Sequence, residues 1–125
     1  MRKAVIVAAK RTPVGRANRG ALKHTRIEDM AKVVIGKLLE ETGVKGEEID
    51  DLIVGCAFPE AEQGLNVARL IALHAGLPQS VPAVTVNRFC SSGLETIAMA
   101  CTRVMAGFQD IVIAGGAETM SMVPM

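Results

Sequence analysis

The segment from Ser92 to Ala106 constrains the fold more than any other part of this chain. It reads as a helix whose only charged side chains are Glu95 and Arg103. Ile97, Ala98, Met99, Ala100, Cys101, Val104, Met105 and Ala106 wrap most of its circumference. A helix that is apolar nearly all round is buried on nearly all sides. One sheet covers only one side of a helix, so a fold built on this segment needs something further on its far side. The chain is 50% hydrophobic but only 2% aromatic, so Ala, Val, Ile, Leu and Met must build its core.

Around that segment, β-branched runs alternate with helical ones. Lys3 to Ala9 is a continuous apolar run that suits a strand buried on both faces. Arg11 to Gly20 is a Gly/Pro/Arg loop, and Thr25-Arg26-Ile27-Glu28 fits a helix capping box. In the helix that follows, Met30, Val33, Val34, Leu38 and Leu39 mark one face, and Lys32, Lys37, Glu40 and Glu41 the other. Gly43 is placed to stop it. A second strand spans Leu52 to Gly55, and a second helix runs from about Asn66 to Ala75 and ends at Gly76-Leu77-Pro78. Strands over Ala83–Asn87 and Ile111–Gly115 bracket the apolar helix. This β-α-β-α-β-α-β order predicts an α/β fold: a mostly parallel sheet, right-handed crossovers and helices on both faces. The 125 residues allow one domain at most.

Charge excludes some classes of partner. The 14 basic and 13 acidic residues are spread along the chain and leave a net charge of +1, so no basic patch argues for nucleic acid. The apolar run near the start is too short for a signal-peptide core or a membrane span. Cys56, Cys90 and Cys101 make an odd count without Cys-x-x-Cys spacing. Neither a disulfide framework nor a metal site follows, and a reducing, cytoplasmic setting does.

The junction before the apolar helix carries the chemistry. Residues 84 to 101 read VTVNRFCSSGLETIAMAC: a β-branched strand enters a Cys-Ser-Ser-Gly turn that opens the helix. Cys90 then lies near unpaired backbone N–H groups and the positive end of the helix dipole, which favour a thiolate. The dipole contributes only about 0.3–2 kcal/mol, enough to poise a nucleophile and too little to supply a mechanism. Ser91, Ser92 and Gly93 are small and let a ligand or another backbone come close. Asn87 is placed to hydrogen-bond the turn. Gly115-Gly116 after the last strand lacks Gly-x-Gly-x-x-Gly spacing, so close packing near Cys90 accounts for it better than a dinucleotide site. Glu118 is read as a structural hydrogen-bonding residue. Cys56 and Cys101 are read as core, His24 as solvated, and His74 as a helix-terminal residue beside the dipole. Met120, Met122 and Met125 read as adaptable packing.

Four segments, in order, resemble the thiolase family. They are Arg11-Thr12-Pro13-Val14-Gly15; Gly55-Cys56-Ala57 through Gln63-Gly64-Leu65-Asn66-Val67-Ala68-Arg69; Asn87-Arg88-Phe89-Cys90-Ser91-Ser92-Gly93-Leu94; and Gly115-Gly116-Ala117-Glu118-Thr119-Met120-Ser121. Within the family, the residues around Cys90 and the Pro59–Gly64 stretch resemble the degradative 3-ketoacyl-CoA thiolases. The resemblance implies the thiolase layered fold, in which two similar halves sandwich such an apolar helix between their sheets. Residues 1–125 resemble part of the first half only, without the fifth strand, the substrate-binding loop region and the C-terminal domain.

The resemblance also implies an activity. Cys90 attacks the 3-keto carbon of a 3-ketoacyl-CoA and carries the acyl group until a second coenzyme A thiol removes it, as in fatty-acid β-oxidation. The Cys90 backbone N–H is a candidate oxyanion donor, and Asn87, Ser91, Gly93, Gly115 and Gly116 are supporting residues. Coenzyme A is a co-substrate, no cofactor is tightly bound, and no residue is assigned to coenzyme binding. The family's base His and second Cys lie in Gly-His-Pro and Cys-x-Gly-Gly motifs that do not occur here, so residues 1–125 alone are expected to be inactive. The expected partners are acyl-CoA and a second copy, in a homodimer or homotetramer through the strand before Cys90, without a membrane or nucleic acid. The competing readings are a biosynthetic acetoacetyl-CoA thiolase and a non-catalytic thiolase-like binding module.

Overall fold

The structure is a computed structural model and describes residues 2–124; Met125, grouped above with Met120 and Met122, lies outside them. Three strands, β1 (Asp51–Gly55), β2 (Ala83–Val86) and β3 (Val112–Gly116), form a parallel sheet in the order β2-β1-β3. Helices α1 (Ile27–Thr42), α2 (Val67–His74) and α3 (Ser92–Met105) accompany it, with short 3-10 turns at Gly46–Glu48, Ala61–Gln63 and Met120–Met122. β1 is the central strand, buried at every position, and its apolar run Leu52-Ile53-Val54 reflects this.

From β1 the chain steps outward through α2 to β2, then returns past β1 through α3 to β3. Right-handed crossovers in opposite directions place α2 and α3 on opposite faces of the sheet. The alternation of β1 agrees. Leu52 and Val54 enter a core with Ile27, Ile35, Val67 and Ile71 of α1 and α2. Asp51 and Gly55 face α3, where Asp51 accepts hydrogen bonds from Arg103 and from Gln109 beyond the helix, and Gly55 abuts Ser92.

α1 differs from its predicted form at its start. Its N-cap residue is Arg26, with no side-chain cap hydrogen bond. The capping box predicted at Thr25 and Glu28 does not form, because the Arg26 guanidinium takes the Glu28 carboxylate at 2.7 Å. Gly43 does stop the helix, at φ 71°, and its N–H donates to Leu39 O. The buried face runs through Ile27 and Ile35, with Met30, Ala31 and Leu39 packed beside it, while Val33 points to solvent.

Two larger expectations are corrected. Lys3 to Ala9 forms no strand. Residues 2–10 exchange no backbone hydrogen bond with the sheet, and Val5, Ile6 and Val7 are 75%, 73% and 76% exposed. A strand needs a partner edge at about 4.8 Å, and here a cavity of about 1020 Å³ separates the segment from β3. α3 is likewise not buried all round. It turns Ser92, Thr96 and Ala100 to the sheet, a narrow stripe of small residues spaced four apart. Leu94, 71% exposed, and Ile97 and Met105 stay open to solvent. Among the described residues no helix is long and apolar enough to cross a membrane.

Candidate active site at the turn between β2 and α3

Cys90 sits in the five-residue crossing from Val86, the end of β2, to Ser92, the start of α3. It is exposed. The N-cap position falls on Ser91, so Cys90 stands one residue before the cap and two before the first residue of α3. The residue before it, Phe89, has φ 48°. A bulky side chain in the left-handed region costs roughly 1–3 kcal/mol and persists only where its surroundings impose it.

Local hydrogen bonds impose it here. The Phe89 N–H donates to Asn87 Oδ1 at 2.9 Å, and the Arg88 N–H donates to Ser92 Oγ at 2.8 Å. Ser92 Oγ–H returns to Phe89 O at 2.6 Å, and Ser91 Oγ–H donates to Arg88 O at 3.0 Å. The Asn87 amide also reaches out of the turn, donating to Ala57 O at 3.1 Å. The Arg88 guanidinium lies 2.9 Å from Glu95 Oε2, bridging the turn to the first turn of α3.

Glycine lets the helix come this close to the sheet. A Cβ on Gly55 would lie 2.6 Å from the Ser92 carbonyl carbon and 2.8 Å from Gly93 N. A Cβ on Gly116 would lie 3.4 Å from Gly93 Cα. Gly115 has no neighbour within 4 Å of such an atom, so the close packing expected of the pair belongs to Gly116 alone. Thr96 Oγ closes the seam, 2.8 Å from Gly93 O and 3.0 Å from Gly115 O.

The ends of β1 and β3 meet beside the turn. Glu118 accepts from the Ala57 N–H at 2.7 Å, the Phe58 N–H at 3.4 Å, the Cys56 thiol at 3.5 Å and the Gln63 amide. Gln63 is fully buried; its Nε2 also donates to Phe58 O, and its Oε1 accepts from the Thr119 N–H. Burial, and then the charge of Glu118, push the Cys56 thiol up to about 12. Cys56 therefore stays protonated and non-nucleophilic at neutral pH.

The structure brings Cys90, Asn87, Ser91 and Gly93 together and sets Gly116 against them. Cys101 lies half-buried along α3. His74 bonds Asp29 at 2.7 Å, tying α2 to α1, and His24 is exposed. Gln63 was not singled out by the sequence as part of the site. No local pattern marks a glutamine that is buried by a partner 55 residues away.

Residues 4–125 match the family described as thiolase, N-terminal domain. The chain is 55% identical over its full length to a 3-ketoacyl-CoA thiolase of Bacillus subtilis (strain 168), covering 32% of that protein. It is 44% identical to a probable acetyl-CoA acyltransferase of Staphylococcus aureus (strain NCTC 8325 / PS 47), covering 31% of it. Among solved structures, an acetyl-CoA acetyltransferase of Bacillus anthracis superposes on 99% of the chain with a TM-score of 0.92 at 37% identity. The chain spans about a third of the length of the curated relatives it matches.

Proposed function

The chain belongs to the thiolase family by its N-terminal domain, and on that premise we propose that it carries the nucleophile of a degradative 3-ketoacyl-CoA thiolase, Cys90. The observation that carries this reading is the turn itself. An exposed thiol stands between a strained Phe89 and the start of α3, while Cys56 is sealed and protonated. The Cys90 sulfur attacks the 3-keto carbon, and the bond between carbons 2 and 3 breaks. Acetyl-CoA leaves as its enolate and takes a proton. The shortened acyl group stays on sulfur as a thioester until a coenzyme A thiol displaces it. The proton acceptor for the Cys90 thiol and the proton donor for the enolate lie outside this segment. Asn87, Ser91, Gly93 and Gly116 hold the turn, and the Cys90 backbone N–H is the chain's candidate oxyanion donor. The reading includes fatty-acid β-oxidation in the cytoplasm and a homodimer or homotetramer through β2, which pairs with β1 on one edge only.

The test is acyl transfer from a mass-labelled acyl-CoA to the protein at its natural length, mapped by peptide mass spectrometry. The label is expected on Cys90, and Cys90→Ala is expected to lower turnover roughly a thousandfold or more. Label on Cys101 alone, or full turnover without Cys90, overturns the assignment. The name of the Bacillus anthracis relative, acetyl-CoA acetyltransferase, favours a second reading, the biosynthetic thiolase. Turnover of 3-ketoacyl chains of about eight carbons and longer decides for degradation, and restriction to four carbons decides against it.

A further inference from the structure

Glu118 begins a chain of hydrogen bonds that ends beside Cys90. Four donors converge on its carboxylate: two backbone N–H groups, one side-chain amide and one thiol. Because every neighbour donates, both oxygens must accept. The two backbone donors, Ala57 and Phe58, directly continue β1 beyond Cys56, so the carboxylate fixes the path of the chain leaving the central strand. Gln63 braces it from behind, bonded at once to Glu118, to Phe58 O and to the Thr119 N–H.

The fixed segment then holds the turn. Ala57 O accepts from Asn87 Nδ2, and the other end of that same amide, Oδ1, accepts from the Phe89 N–H. Asn87 is thus a strut between a carbonyl set by Glu118 and the backbone N–H of Phe89, a residue strained at φ 48°. Cys90 is the next residue. We propose that Glu118 is a positioning residue for Cys90, acting through Ala57 and Asn87 to hold the Phe89 backbone in the conformation that presents the thiol. It touches no reacting atom. The inference rests on the reading of Cys90 as the nucleophile.

The experiment compares Glu118→Ala, Asn87→Ala and the double variant in the protein at its natural length. Each single variant is expected to slow acyl transfer to Cys90 about tenfold, with KM for acyl-CoA within about twofold of the parent. The double variant should be no slower than the slower single one, because both break the same strut, and residues acting in one network are non-additive. Glu118→Gln should fall between Glu118→Ala and the parent: it keeps one acceptor oxygen but turns an amide N–H₂ toward donors. Ile35→Ala, a core change far from the turn, is the control for lost stability and should keep the parental rate. A parental rate in Glu118→Ala, or effects that multiply in the double variant, overturns the proposal. If Glu118→Ala does not unfold cooperatively, Glu118→Gln with Asn87→Ala gives the same comparison. If the parent shows no acyl transfer, the reading of Cys90 fails separately. Iodoacetamide labelling then reads the strut directly. Glu118→Gln should change the Cys90 rate at least about threefold and leave Cys101 unchanged, and an unchanged Cys90 rate sinks the proposal.

Discussion

At the scale of single residues, two cysteines in similar sequence positions have opposite fates. Cys56 and Cys90 both follow a strand. Cys56 is sealed beneath the loop that Glu118 gathers and has its thiol pushed up to about 12, from an ordinary value of 9.0. This has a consequence for stability. Below about pH 9 the folded and unfolded chains both hold the proton, and this thiol adds no pH dependence. Between 9 and 12 the unfolded chain releases the proton and the folded chain keeps it. Rising pH then favours unfolding, by about 1.4 kcal/mol per pH unit. Urea unfolding should show about 1.4 kcal/mol lost between pH 7 and about pH 10. Cys56→Ser, which keeps a donor for Glu118 but does not ionise, should lack that loss; the same slope in both proteins would place the thiol elsewhere. The sequence already pointed to Cys90 through the small residues after it and to Cys56 as core, because both signals are local. It left Gln63 unmarked, because the bonds that bury this side chain come from residues far along the chain.

At the scale of elements, the seam between α3 and the sheet rests on Gly55, Gly93 and Gly116. Gly55→Ala would drive a Cβ into the backbone of Ser92 and Gly93, atoms that cannot swing aside as a flexible side chain would. Overpacking of this kind costs about 1–3 kcal/mol, and here it would also push back the residues that follow Cys90. A lower melting temperature and slower Cys90 labelling are expected together. Gly115→Ala meets open space and should stay within about 0.5 kcal/mol of the parent, although it sits beside Gly116 in the same motif. The pair separates packing from simple glycine content. The elements themselves were largely legible. β1, β2, β3 and all three helices lie within about two residues of where periodicity and β-branching put them, although the face that α3 buries is not the one its apolar pattern declares. The start of α1 was not, since Thr25 and Glu28 have capping spacing but Arg26 competes for the carboxylate.

At the scale of the whole molecule, the segment Lys3–Ala9 shows what a local pattern cannot carry. Its apolar, β-branched composition is that of β1, yet β1 lies between two partner strands and this segment has none. Strand propensity is a statement about fit to a pleated neighbour, and a neighbour is not written into the run itself. The open side of α3 has the same origin, for Leu94 and Ile97 are apolar and uncovered. Contiguous apolar surface of this kind binds hydrophobic dyes and promotes association, so residues 1–125 alone should raise dye fluorescence several-fold and self-associate on concentration. Ile6→Asn tests the placement most directly. If Ile6 were in a strand buried on both faces, removing it would cost roughly 2–5 kcal/mol, as large-to-small core changes do. At 73% exposure it should cost less than about 0.5 kcal/mol in urea unfolding, while dye binding falls. A loss above about 2 kcal/mol would mean that the segment packs against the sheet after all, and that the gap beside β3 is closed in solution.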